Sequence, residues 1–218
     1  MTDDIHCILA LILILTQNAT SLNILVVGGS GRVGGSTVRW LDTLSKRQSI
    51  PSTLTVGGRR RDSFEKAIRN RILPNSVDFL SLDVDGDASL LRRKLENWKS
   101  QECLLVHTAG PFQGRRDPIL LETCIDLGIP YVDVCDEWDL AEVSKEKLHQ
   151  KAVEKSVCAV VSCGIWPGVS ALMAKRGVDL LTCDNKDMEV ESIDYSFFTA
   201  GTGSEYNSTL CLLNLSAV

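Results

Sequence analysis

Four glycines within seven residues, Gly28, Gly29, Gly31 and Gly34, directly follow a short apolar run, and they restrict what this chain can become. Asn23 to Val27 is rich in Ile, Leu and Val and too short for a typical helix, so it reads as a buried parallel strand. Gly29, Gly31 and Gly34 fit G-x-G-x-x-G: the first allows a tight bend, the second lets the backbone approach a pyrophosphate, and the third packs the next helix on the strand. Val38, Leu41 and Leu44 recur at i, i+3 and i+6, so a helix from Arg32 to about Ser45 buries one face and points its first amides at phosphate. A tight turn at a sheet edge also uses glycine. Strand, glycines and helix in this order are the context that the phosphate-binding reading needs. The residues expected at a cofactor are Gly28, Gly29, Ser30, Gly31, Arg32, Val33 and Gly34.

The following strand says which dinucleotide to expect. Thr53 to Val56 is β-branched-rich, and an NAD-specific domain ends this strand on an acid that holds the ribose 2′-hydroxyl. Residues 53 to 61 contain no acid; Gly57-Gly58-Arg59-Arg60-Arg61 stands there and offers guanidinium forks suited to a 2′-phosphate. NADP(H) is therefore the expected cofactor, with Arg59 the first ligand and Arg60 beside it, while Arg61 reads as a solvated helix-start charge.

Composition narrows the class without naming it. A net charge of −5 and a pI near 5.3 give no basic footprint, which argues against nucleic acid as a principal partner. The eight cysteines show no C-x-x-C and no paired metal spacing, so no metal site is expected. They suit small buried residues in a reducing compartment, cytoplasmic or organellar. Ile8 to Leu15 is wholly apolar, long enough for a signal-peptide core but too short for a stable membrane span, and Asp3 and Asp4 precede it where a signal peptide is basic. Residues 1–22 therefore stand as a hydrophobic extension with three readings: an added packed helix, a divergent targeting or anchoring segment, or a non-native start.

Further along, strands alternate with helical patterns, which is the pattern of βαβ units in a doubly wound, mostly parallel α/β sheet. Phe64, Ala67, Ile68 and Ile72 give a helical face before a strand over 77–84 that Asp83 and Asp85 close; an acid at this strand end is expected beside an adenine, with Asp83 the cofactor candidate and capping of the next loop an equal reading for Asp85. Cys103 to His107 is the fourth strand, leading into Thr108-Ala109-Gly110-Pro111-Phe112 at a carboxyl strand end, where the nicotinamide ribose is expected. His107 reads either as an acid–base group or as a ring satisfied within the core. A helix over 117–127 ends at Gly128. A strand over 131–138 then brings Asp133 and Asp136, the two catalytic candidates, to the rim of the glycine loop. Residues 141–154 form a charged outer helix, and a sixth strand over 157–162 leads to Cys163, read as a buried thiol, and to a helix near Val169.

These motifs, taken in order, resemble the saccharopine dehydrogenase-like family, and specifically the NADP-binding domain of its saccharopine reductase group. The resemblance rests on Gly28-Gly-Ser-Gly-Arg-Val-Gly-Gly-Ser36, Val56-Gly-Gly-Arg59, Ala109-Gly-Pro-Phe112, Tyr131-Val-Asp-Val-Cys-Asp136 and Gly164-Ile-Trp-Pro-Gly168, across roughly residues 23 to 203. It implies an NADP-dependent oxidoreductase acting on a C–N bond of a small amino-acid-derived substrate, with hydride passing between the nicotinamide and an imine carbon.

The chain departs from that pattern after Gly203. Ser192 to Phe197 alternates as the first strand of a half-buried sheet, which in the family opens a substrate domain, and residues 204–218 read as an atypical tail. The expected organisation is an extension over 1–22, a Rossmann domain over 23–188, and the beginning of a truncated α+β substrate domain over 189–218. A lone strand is an edge liability, which makes a homodimer reasonable. Three functions stay open: an oxidoreductase, a non-catalytic NADP(H)-binding module, and an inactive truncated isoform.

Overall fold

The fold was analysed in a computed structural model that describes residues 21–183, 189–200 and 208–217. Within the first stretch, six strands alternate with helices. They are β1 (Leu22–Val27), α1 (Arg32–Gln48), β2 (Ser52–Gly58), α2 (Arg61–Arg69), β3 (Asp78–Ser81), α3 (Ala88–Trp98), β4 (Cys103–His107), α4 (Ile119–Leu127), β5 (Tyr131–Asp133), α5 (Trp138–Glu154), β6 (Ala159–Val160) and α6 (Val169–Thr182). The sheet order is β3-β2-β1-β4-β5-β6 with every pairing parallel. The order reverses between β1 and β4, and this switch point opens a crevice at the carboxyl ends of the strands. The expected doubly wound Rossmann sheet is the observed one.

Strand parity explains the two-layer packing. Leu22, Ile24 and Val26 of β1 face one side with Val38, Leu41 and Leu44 of α1 and Phe64 of α2. Leu25 and Val27 face the other with Leu91 and Leu95 of α3 and Leu120, Cys124 and Ile125 of α4. Full burial of each such side chain contributes roughly 1.5–3 kcal/mol, so β1, apolar on both faces, is the axis of the core.

Several elements are shorter than the sequence pattern predicts. The strand expected over 77–84 is Asp78–Ser81, and the one over 157–162 is Ala159–Val160. The strand expected over 131–138 stops at Asp133, whose carboxylate takes the amides of Cys135 and Ser162 and turns the chain out of the ladder. The helix expected from Asp117 starts at Ile119, behind Pro118.

The strand expected over Ser192–Phe197 spans Val190–Ala200 (β7) and is not alone. Ser208–Ala217 (β8) pairs with it antiparallel, Ile193 opposite Leu215 and Phe197 opposite Cys211, so the residues read as a tail contain a strand. Residues 1–20, including Ile8 to Leu15, lie outside the described residues. Among the described residues no helix is long and apolar enough to cross a membrane and no group of His, Cys, Asp and Glu is arranged to hold a metal.

Candidate functional site

The β1–α1 turn is built around close backbone contacts. Gly28 has φ +82 and donates its amide to Gly57 O at 2.8 Å, and a Cβ placed on it would stand 2.8 Å from Ala109. A Cβ on Gly34 would stand 2.3 Å from Gly28 O and 2.6 Å from Thr108 Oγ1. Thr108 closes this junction by donating both its amide and its hydroxyl to Val27 O, each at 2.8 Å. Gly31 differs: a Cβ there would meet only Gly28 O, at 3.2 Å, and the residue faces the crevice as the N-cap of α1. No side chain caps this helix and its first turn holds no acid, so its partial positive end and free amides are presented to an anion.

A cleft of about 450 Å³ opens over this turn. Of the residues expected at a cofactor, Gly28, Ser30, Gly31, Arg59, Arg60, Asp83, Ala109 and Gly110 line it. Gly29, Arg32, Val33, Gly34, Pro111 and Phe112 do not. Gly29 packs against Val56, and Phe112 is buried with Cys135 and Leu140. Arg61, expected as a solvated helix-start charge, stacks its guanidinium 5.1 Å above the Phe79 ring and does not line the cleft. Thr108, from the turn expected at the nicotinamide ribose, and Asp85, beyond the β3 end, also line the cleft, as do Ser63 and Arg115, which carry no expectation from the sequence. Ser63 and Asp85 sit two or three residues beyond recognised strand-end residues, a usable signal; Arg115 lies in an aperiodic loop and had none. A larger groove of about 980 Å³ beside α5 and β6 shares no residue with the glycine turn, and its walls are largely the aliphatic side chains of Leu121, Ile125, Leu148 and Val153. Binding chemistry converges at the smaller cleft.

The rim carboxylates are engaged by the fold. Asp133 is buried, and one oxygen accepts from Ser162 N at 2.7 Å and Cys135 N at 3.0 Å. Burial raises its pKa, opposed by these two amides and by the Tyr131 hydroxyl. Asp136 is exposed and accepts from Gln113 Nε2 at 2.8 Å, while Glu137 accepts from Gly114 N at 3.2 Å. Neither Asp133 nor Asp136 lines the cleft. His107 is buried, its Nδ1 lies 2.8 Å from the Tyr131 hydroxyl, and its ring packs edge-on to Phe112. Burial, reinforced by the Arg115 charge, pushes its pKa down to about 4. Of its two readings, the core-satisfied ring fits one nitrogen; the other, Nε2, is buried without a partner. Burial pushes the Cys135 and Cys163 thiols up to about 11, so neither is poised as a thiolate.

Sheet order, glycine turn and basic β2 end together define a Rossmann-type dinucleotide-binding domain. The chain belongs to the saccharopine dehydrogenase NADP binding domain family, which matches residues 24–160, and its cofactor is NADP(H). It is 25% identical over 192 residues to a mouse protein named saccharopine dehydrogenase-like oxidoreductase, covering 84% of this chain and 42% of that protein. It is 31% identical over 148 residues to an Arabidopsis thaliana protein named a probable mitochondrial saccharopine dehydrogenase-like oxidoreductase, covering 65% of this chain and 31% of the other. The chain thus spans less than half the length of these relatives. Among solved structures, a citronellol catabolism dehydrogenase of Pseudomonas aeruginosa superposes with a TM-score of 0.43 at 19% identity, covering 64% of this chain and 73% of that one. The residues present fit the cofactor: an open glycine at an uncapped helix start for the pyrophosphate, and Arg59 and Arg60 at the end of β2 for the 2′-phosphate.

Proposed function

We propose that this chain forms the NADP(H)-binding part of an oxidoreductase of the saccharopine dehydrogenase type, acting at a C–N bond of a small amino-acid-derived substrate. The observation that carries the proposal is the cleft itself, where an uncapped helix start and the Arg59–Arg60 pair share one wall with no acid closing β2. The names of the mouse and Arabidopsis relatives support the oxidoreductase class. Bound there, the nicotinamide supplies or receives the hydride. The chain's own work is to hold the pyrophosphate at Gly31 and the α1 amides, and to select the phosphorylated ribose with Arg59 and Arg60. Thr108, Ala109 and Gly110 line the crevice from the β4 side. Asp133 is a positioning residue that holds the β5 end against the segment after β6. The mitochondrial name of the Arabidopsis relative supports an organellar location, and the burial of Cys103, Cys124 and Cys135 suits a reducing compartment, organellar or cytoplasmic.

One observation favours a second reading, a binding module without turnover on its own. His107, Asp133 and Asp136, the candidate proton-transfer groups, are bound into the fold and do not line the cleft. Both readings share one test. A fluorescence titration with NADPH and NADH is expected to saturate with preference for NADPH, and to lose that preference in Arg59→Ala. Equal affinity for both dinucleotides in the parent chain would overturn the 2′-phosphate assignment.

A further inference from the structure

Arg115 joins two places that the sequence keeps apart. It follows the Thr108–Phe112 turn, in a loop anchored from behind by Gln113 on Asp136 and by Gly114 N on Glu137. Its own side chain runs the other way, to Asp85 beyond β3, with Nη1 2.9 Å from Oδ1 and Nη2 3.2 Å from Oδ2. This is a fork-to-fork pair, the geometry a guanidinium also offers a phosphate. Both partners line the cofactor cleft, and both are partly exposed, at 27% and 50% of their side-chain surface. An ion pair this exposed is held weakly, so exchanging one anion for another costs little. The loop behind Arg115 is tied down; the side chain is the part free to exchange.

Charge makes the exchange favourable. Arg59 and Arg60 stand at the end of β2 on one side of the glycine turn, while Arg115 comes from the β4 side of the same cleft, so three cations line it. Asp85 opposes an anionic ligand twice, by its own charge and by occupying the third cation.

Resting on the assignment of NADP(H) to this cleft, we propose that Arg115 is a pyrophosphate ligand of the cofactor, masked by Asp85, and that the cofactor takes the guanidinium fork from that carboxylate. Arg115 then belongs to the binding of both dinucleotides, unlike the 2′-phosphate pair, and Asp85 sets affinity without touching the cofactor.

The test is a titration of NADPH and NADH into the full chain, comparing the parent with Arg115→Ala, Arg115→Lys, Asp85→Asn and the Arg115→Ala/Asp85→Asn double variant. Loss of a charge-assisted phosphate contact predicts that Arg115→Ala weakens both dinucleotides by about tenfold or more and by the same factor. Arg115→Lys, which keeps the charge without the fork, falls between. Asp85→Asn tightens both, and the gain disappears in the Arg115→Ala background. A gain that survives in that background would show Asp85 acting on the cofactor directly and would overturn the masking. Weakening of NADPH alone would move Arg115 to the 2′-phosphate, and unchanged affinity in a folded Arg115→Ala would remove it from the site; either overturns the proposal. Failure of the parent chain to bind either dinucleotide overturns the cleft assignment itself, a result separate from any difference among variants.

Discussion

Two glycines of one motif are held for different reasons, and substitution separates them. Ala at Gly34 drives its methyl into Gly28 O and Thr108 Oγ1, neither of which can withdraw without opening the β1–β4 junction. Gly34→Ala is expected to lower stability by about 1–3 kcal/mol in urea unfolding, as overpacking does. Ala at Gly31 meets one backbone oxygen at 3.2 Å and points at the cleft. Gly31→Ala is expected to cost about 1 kcal/mol as a poorer N-cap and to lose NADPH affinity out of proportion to that cost. His107 gives a pH signature at the same scale. Its pKa is about 4 in the fold against an ordinary 6.5, so between these values the unfolded chain binds more protons and stability rises with pH. Acidification from pH 6.5 to 4 therefore removes about 3 kcal/mol relative to a His107→Gln variant, read as the difference between two urea-unfolding pH series. Asp133, raised by burial, has the opposite sense near the acid end and is common to both series, so it cancels.

Among the elements, the boundary of β5 decides how the rim is read. Alternation over Tyr131–Trp138 was legible as a strand, yet the ladder ends at Asp133 because a carboxylate outcompetes a carbonyl for two nearby amides. That competition depends on Ser162, 29 residues away, and no local pattern shows it. β1, β4, the glycine turn and α1 were legible because continuous apolar runs and a 3.6-residue period are local signals. The β7–β8 pairing was not, since an antiparallel partner is chosen by long-range register. If Asp133 is a clamp, Asp133→Ala strands two buried amides and is expected to cost roughly 2–5 kcal/mol in urea unfolding, while Asp133→Asn, which keeps an acceptor, costs less. NADPH affinity of the folded variants should stay within about threefold of the parent's, a change of well under 1 kcal/mol. A stable Asp133→Ala chain would show that the carboxylate is not needed to hold the rim.

At the scale of the whole molecule, the cofactor and the fold are linked through the switch point. β1 and β4 form the middle of the sheet, and the cleft residues Gly28, Gly31, Thr108 and Ala109 sit at their carboxyl ends. A ligand held there binds only when these two strands are paired, so its binding free energy adds to the stability of the sheet. With NADPH at a hundred times its dissociation constant, the stabilisation is about 2.7 kcal/mol, which for a chain of this size raises the melting temperature by roughly 5–10 °C. NADH at the same concentration lacks the 2′-phosphate and is expected to give a smaller rise. Arg59→Ala, altering the end of β2 and not the switch point, should leave the NADH shift intact and bring the NADPH shift down towards it. A parent chain stabilised as much by NADH as by NADPH would show that the Arg59–Arg60 strand end does not choose between them. A variant that loses both shifts would place Arg59 at the pyrophosphate, the role assigned to Gly31 and α1.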